Sequence, residues 1–289
     1  MNRLLLVTAT ALFMLILVAC GQNNTTTPSA SAPASEIAVP EPTASASEAA
    51  SPEASPVVTE EASLSTPEEI TVEVEYEMNK VYRIVPIDKE KTNSKVVLLT
   101  FDDGPKDSET LDPILDALDK HNAKAIFFVN GYRVKAKPEL LKQIDERGQV
   151  IGNHSWDHIQ LNKEAPEKIK QQIADVQTIV QEVTGKTPVF FRPPHGASND
   201  DVRAIAKENK LLQMNWSNGS LDWELSVKLA DRPQAVIDNV MEQLHSGSNI
   251  LMHELPWTAE IIDTLLTMLE DKGYSFVDPN AILIPSFND

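Results

Sequence analysis

From Lys95 onward, short apolar runs alternate with longer stretches whose apolar positions recur every three or four residues. The runs have the length and composition of buried strands, and the longer stretches have the period of amphipathic helices. Strands are predicted at Val96–Phe101, Ala125–Val129, Gln149–Gly152, Val189–Phe191, Leu211–Trp216, Asn249–Met252 and Ser275–Val277. Helices are predicted at Ser108–His121, Pro138–Arg147, Pro166–Val183, Asp200–Asn209, Pro233–His245 and Ala259–Lys272. Gly148, Gly185, Gly247 and Gly273 fall where left-handed helix caps favour glycine, while Ser108, Asn199 and Thr258 suit N-caps. Strand–helix alternation of this kind implies a parallel sheet wrapped by helices. About seven repeats over roughly 190 residues fit one domain, placed at 80–289. No glycine-rich phosphate loop follows the first strand, which disfavours an open nucleotide-binding sheet. The predicted fold is therefore α/β, a (β/α) barrel of about seven strands.

The pattern before residue 80 is different. "MNRLLLVTATALFMLILVAC" places Arg3 ahead of an apolar core and ends in small Ala19 and Cys20. That is the layout of an export signal, assigned to 1–19. Its end, Leu17-Val18-Ala19-Cys20, resembles a bacterial lipobox, which implies cleavage before Cys20 and lipidation of that residue. Cys20 is the sole cysteine, so no intramolecular disulfide can form. Residues 20–79 are rich in Ser, Thr, Pro, Ala and Glu, a composition with too little apolar surface to offset ordering entropy. They are read as a tether that gives an anchored domain reach above a membrane. Strict alternation over Ile70–Met78 adds a half-exposed strand signal, either flanking the domain or belonging to the tether. The expected location is outside the cytoplasmic membrane. The formal net charge of -18 argues against a nucleic-acid partner. Much of it lies in the tether and so says little about a site.

In a parallel barrel, chemistry collects at the C-terminal strand ends. Those ends carry Asp102-Asp103, Asn153-His154 with His158 beyond, Arg192-Pro193-Pro194-His195, Asp222-Trp223 and His253-Glu254. Four of the six histidines are among them. His154 and His158 stand four apart, a spacing that places both rings on one face of a helical turn. Two imidazoles and a carboxylate form a common metal-ligand set with a position left open. Two adjacent carboxylates in one pocket raise each other's pKa, and a cation resolves the conflict. One Asp then binds the metal and the other serves as general base to a water. Arg192 can hold that base ionised. His253 can protonate a leaving amine, with Asp222 fixing its tautomer. Trp223 is a sugar-facing wall or a core tryptophan. His121 and His245 fall at helix ends and receive no catalytic role.

The motifs "TFDDGP", "HSWDH", "RPPHG", "SLDW" and "LMH", in this order between about Lys95 and Asp278, resemble the polysaccharide deacetylase family (carbohydrate esterase family 4, the NodB-homology domain). The resemblance implies a distorted (β/α) barrel and metal-dependent removal of N-acetyl groups from amino-sugar polymers. Peptidoglycan N-acetylglucosamine or N-acetylmuramic acid is the expected substrate, with chitooligosaccharide or acetylxylan as alternatives. A catalytically inactive carbohydrate-binding lipoprotein is the alternative of another class. By the same resemblance Asp102 is the base, and Asp103, His154 and His158 hold a divalent metal, zinc first, with cobalt, manganese or nickel as alternatives. Arg192 orients Asp102, and His253 is the general acid supported by Asp222. The backbone N–H of His195 serves the oxyanion, and Leu251 with Trp223 lines the acetyl pocket. Two positions depart from the usual pattern: many members carry Tyr where His195 stands and Asp where Gly219 stands.

Overall fold

The computed structural model describes residues 72–226 and 228–287. The expected signal segment, Cys20 and most of the tether lie outside these residues. Among the described residues no helix is long and apolar enough to cross a membrane.

A short antiparallel ribbon of β1 (Tyr76–Met78) and β2 (Ile84–Pro86) precedes the sheet. Tyr76 is buried, and its carbonyl accepts from the Leu283 N–H near the C-terminal end of the described chain. Of the alternating Ile70–Met78 signal, the described residues form strand only at Tyr76–Met78. The fold takes up the chain by Tyr76, a few residues ahead of the composition boundary at 79.

The remaining strands are β3 (Val96–Gly104), β4 (Ala125–Val129), β5 (Val150–Asn153), β6 (Phe190–Phe191), β7 (Leu212–Gln213), β8 (Asn218–Gly219), β9 (Ser248–His253) and β10 (Ser275–Phe276). They form one sheet in the order β7-β6-β5-β4-β3-β9-β8, with β10 paired to the start of β3. Every pairing in it is parallel. Helices α1 (Ser108–Lys120), α2 (Gly131–Ala136), α3 (Pro138–Glu146), α4 (Pro166–Thr184), α5 (Asp200–Glu208), α6 (Arg232–Glu242) and α7 (Pro256–Asp271) return the chain between strands. This is the distorted (β/α) barrel, curled and incompletely closed.

β3 is central and almost wholly buried, as a strand with apolar neighbours on both faces must be. Its outward residues Val97, Leu99 and Phe101 pack with α1 and α7 through Leu111, Leu115, Ile262 and Leu266. Phe101 stacks on Phe127 with ring centroids 5.1 Å apart. Leu98, Ile126, Phe128 and Phe190 form a second apolar cluster that continues to the ribbon through Tyr76 and Ile84.

Of the predicted strand Leu211–Trp216 only Leu212–Gln213 is strand, and β8 follows beyond it at Asn218–Gly219, because the chain between them crosses the open seam of the barrel. Met214 N–H donates to the Phe191 carbonyl, and three residues later Ser217 N–H donates to the Asn249 carbonyl. β7 therefore extends one edge of the sheet and β8 the other. Two predicted caps also differ. The α1 cap is Asp107, whose side chain accepts from Thr110 N–H, rather than Ser108. α7 starts at Pro256 after Leu255, and Thr258 is used in the site instead. Asn199 caps α5 as its residue type suggests.

Candidate active site

The C-terminal strand ends surround a cleft of about 440 Å³. Asp102, Asp103, His154, His158, His195, Trp223, Leu251 and His253 line it. Arg192 and Asp222, fully buried, stand behind that wall. All of the site residues read from the barrel motifs converge here.

Adjacent residues of a regular strand point to opposite faces. Asp102 and Asp103 nevertheless share the cleft, because β3 bulges between them. Asp102 pairs with Phe128 and Gly104 with Val129, leaving Asp103 as the extra residue, in a left-handed conformation at φ 66°. A bulge adds one residue and re-aims a side chain, and left-handed backbone at a non-glycine residue costs about 1–3 kcal/mol.

Asp102 is 3% exposed and receives the Arg192 guanidinium, Nη1 to Oδ1 at 2.7 Å. The same Nη1 reaches Thr100 Oγ1 at 2.9 Å, and Nη2 reaches the Asn215 carbonyl at 3.0 Å. The Arg192 side chain also lies over the Phe128 ring at 4.3 Å. Asn249 Nδ2 donates to the same Asn215 carbonyl at 3.0 Å. The seam-crossing segment is thus tied to both strand edges through the arginine that faces the base candidate. Burial lowers the Arg192 pKa, opposed by the Asp102 carboxylate beside it. Guanidinium is intrinsically so basic that Arg192 stays charged.

His154 and His158 do not share a helical turn. The segment after β5 is irregular, with Ser155 at φ 64° and His158 at φ 56°. Side chains fix that path. Asn153 Oδ1 accepts from Ser155 N–H, and Gln172 of α4 both donates to Asp157 Oδ2 and accepts from Asp157 N–H. The two rings come within 5.0 Å by this route. His154 Nδ1 lies 2.7 Å from the Arg192 carbonyl, so Nδ1 carries the proton and Nε2 presents a lone pair. Burial pushes the His158 pKa down to about 4, leaving its imidazole neutral at neutral pH.

Asp103, His154 and His158 each place one ligand atom within 4.8 Å of the others. Asp103 Oδ1 lies 3.1 Å from His158 Nε2 and 3.5 Å from His154 Nε2. Ligands about 2.0–2.2 Å from a tetrahedral centre stand roughly 3.3–3.6 Å apart, so the spacing fits one cation. Asp103 Oδ1 is buried and makes no hydrogen bond, the state of a carboxylate oxygen that faces a cation. Burial pushes its carboxyl up, yet the two histidines and His253 hold it below the ordinary value. The residues present therefore suit a divalent metal.

Opposite stands His253, at the end of β9 and level with Asp102 in register. Its Nδ1 lies 2.8 Å from Asp222 Oδ1, and its own N–H donates to Asp222 Oδ2 at 2.8 Å. Thr258 Oγ1 also donates to Asp222 Oδ2, and Trp257 Nε1 donates to the Asp222 carbonyl. Burial pushes the His253 imidazole down, but the Asp222 carboxylate outweighs it and the pKa lies above the ordinary value. Nδ1–H faces Asp222, so Nε2 faces the cleft.

The wall beyond His253 is aromatic. Trp223 is 39% exposed and meets His253 edge-on at 5.2 Å, which places it as a cleft wall rather than in the core. Trp216 meets Trp223 at 6.1 Å. Gly219 lies beneath the pair, where a Cβ would touch both indoles at 3.5 Å. Trp216 and Glu224 also line the cleft, and sequence reasoning did not single them out. Trp216 closes a predicted strand and Glu224 follows "SLDW", so position at a strand end was a usable signal for the first.

Comparison with known proteins agrees with this geometry. The family model described as polysaccharide deacetylase matches residues 89–214. Peptidoglycan-N-acetylmuramic acid deacetylase PdaC of Bacillus subtilis is 36% identical over 205 residues, covering 70% of this chain and 42% of PdaC. Its solved structure aligns at a TM-score of 0.58 with 37% identity, covering 64% of this chain and 88% of the crystallised one. The chain belongs to the polysaccharide deacetylase family. Peptidoglycan-N-acetylglucosamine deacetylase PgdA of Listeria monocytogenes is 39% identical over 196 residues, covering 68% of this chain and 40% of PgdA. The chain thus spans about two fifths of the length of these two relatives. A CE4 family pseudoenzyme from Bacillus anthracis aligns at a TM-score of 0.60 with 31% identity, covering 64% of this chain and 63% of the other.

Proposed function

We propose that this protein hydrolyses N-acetyl groups of amino-sugar polymers at the cell surface, with N-acetylglucosamine of peptidoglycan as its substrate. One observation carries the reading. A three-residue set suited to a cation shares one cleft with an arginine-bound carboxylate, Asp102, and an aspartate-bound imidazole, His253. Amide hydrolysis needs a base for the attacking water and an acid for the leaving amine on either side of the carbonyl.

A divalent cation on Asp103, His154 and His158, zinc before cobalt, manganese or nickel, supplies Lewis-acid polarisation and acidifies water. The other steps belong to the chain. Asp102, oriented by the Arg192 guanidinium, takes the proton of the attacking water. The backbone N–H of His195 donates to the oxyanion that develops on the acetyl oxygen. His253, protonated with Asp222 behind it, gives its proton to the departing amine as the carbon–nitrogen bond breaks. Leu251 and Trp223 enclose the acetyl methyl. Acetate and the free amino sugar leave.

The likeness to a pseudoenzyme favours a second reading, an inactive carbohydrate-binding protein. Against it, each residue of the proton-transfer and ligand set is in place. Acetate release from peptidoglycan, chitooligosaccharides and acetylxylan, with zinc and after chelation, tests both readings together. Zinc-dependent release that is fastest on peptidoglycan supports the proposal. No release from any substrate at saturating metal refutes it.

Glu224 bears on the choice of sugar. It is exposed on the cleft wall and its carboxylate has no ion pair among the described residues. N-acetylmuramic acid without a stem peptide carries a free lactyl carboxylate of the same sign as Glu224, whereas N-acetylglucosamine is neutral. Exposed charge pairs are worth roughly 0.2–1 kcal/mol and are screened by salt. Glu224→Gln should therefore raise relative kcat/KM for peptide-free N-acetylmuramic acid oligomers by about 1.4–5-fold at low salt. Glu224→Lys should raise it further. An unchanged ratio in both variants would refute the role.

The same proposal places the domain outside the cytoplasmic membrane, on a tether whose Cys20 bears the lipid. Palmitate labelling of the full chain in a bacterial host should be lost in Cys20→Ala. Labelling that survives the substitution would refute the anchor.

A further inference from the structure

Glu254 follows the acid candidate His253 and has no part in the reaction described above. It is 1% exposed. Its Oε2 accepts the Lys106 N–H at 2.8 Å, while Oε1 is buried without a partner. A carboxyl oxygen left so is costly and calls for an explanation. Its surroundings show what that oxygen is packed against. Gly104, the residue after the bulged Asp103, lies directly against it: a Cβ there would sit 1.9 Å from Oε1. The three nearest obstacles to that Cβ are all Glu254 atoms. Gly104 is therefore glycine to admit this carboxyl group. Glu254 spans the end of β9 and the turn after Asp103, gripping Gly104 by contact and Lys106 by a hydrogen bond. Burial pushes its carboxyl up to about 7, and the Lys106 bond opposes that rise.

We propose that Glu254 is a positioning residue: it clamps the β3 bulge so that Asp103 stays aimed at the cation site. The bulge holds Asp103 in a strained left-handed conformation, which persists only where its surroundings over-determine it. Glu254 is the side chain on the far side of that turn. The inference rests on the reading of Asp103 as a metal ligand and adds a residue that acts through it.

The test measures zinc dissociation constants by chelator competition and kinetics across zinc concentrations. Outer residues that orient metal ligands typically contribute 10–100-fold in affinity. Glu254→Ala should weaken zinc by about that factor and recover much of its kcat at high zinc, with KM little changed. Glu254→Gln has the same length and still accepts from Lys106, so it should bind zinc nearly as the parent does. Gly104→Ala should weaken zinc in the parent and add little in the Glu254→Ala background, where the obstructing atoms are gone. Should Glu254→Ala fail to fold, Glu254→Asp withdraws the carboxyl by one carbon and should show the same loss and the same relief. His158→Ala is the control. If it retains zinc like the parent, the cation site itself is wrong and the inference falls with it. If it loses zinc while Glu254→Ala and Glu254→Asp bind normally, or if Gly104→Ala is fully additive with them, only the positioning role is overturned.

Discussion

His158→Ala should give a folded protein that retains no zinc after dialysis and releases acetate at least about 10³-fold more slowly than the parent. Asp103→Ala should do the same. Three protein ligands are the usual set of a catalytic zinc site, and two leave the cation to exchange freely with solvent. His158 is the better first choice because its ring is partly exposed at the mouth of the cleft, whereas His154 is buried and bonded to the Arg192 carbonyl. Removing the His158 ring opens no sealed cavity, so its loss should act on the site and spare the core. Metal content by atomic absorption, melting by circular dichroism and acetate release distinguish the effects. Zinc retained at parent stoichiometry in both variants would remove the basis for the cation site. Loss of zinc together with loss of the fold in His158→Ala would show that the residue is structural.

The barrel was legible in the sequence because parallel strands buried on both faces are written as unbroken apolar runs, and "VVLLTF" is one. The convergence of acids and histidines followed from topology, since every C-terminal strand end opens to the same side. What stayed hidden depends on geometry without periodicity. α2, "GYRVKA", is too short to display a helical repeat, and β8 contributes only two residues. The path of "HSWDH" relies on Asn153 and on Gln172 of a later helix, a long-range dependence that spacing cannot express. The spacing of four suggested a helical face, and the rings meet for another reason. The bulge at Asp103 is likewise invisible in "TFDDGP", although it brings two neighbouring carboxylates into one cleft. The motif resemblance assigned the two acids distinct parts, and the backbone supplies a physical reason: Asp102 lies in regular strand against Arg192, and Asp103 is the inserted residue. Glu254 passed as a strand-end neighbour of His253, because only the fold shows that its carboxyl lies against Gly104.

Asp102→Asn should leave zinc bound and lower kcat by about 10²–10⁴-fold, the range of a lost general base. Asparagine keeps an oxygen acceptor for Arg192 Nη1 and nearly the same volume, but it cannot take a proton from water. It also strips a buried guanidinium of its counter-charge, so stability should fall. Thr100 and the Asn215 carbonyl remain as its acceptors, and the Phe128 ring remains beneath it, which favours retention of the fold. The assay should therefore be run well below the variant's melting temperature. The pH profile separates this residue from the proton donor. His253 works protonated, and its pKa lies above the ordinary value because of Asp222, so activity falls as pH rises through that raised pKa. That alkaline limb belongs to His253 and should persist in the residual activity of Asp102→Asn. Parent-level turnover in Asp102→Asn would overturn the base assignment. Loss of zinc in the same variant would place Asp102 among the ligands, where its Oδ2, 3.6 Å from His154 Nε2, is near enough to enter the coordination sphere with a small shift.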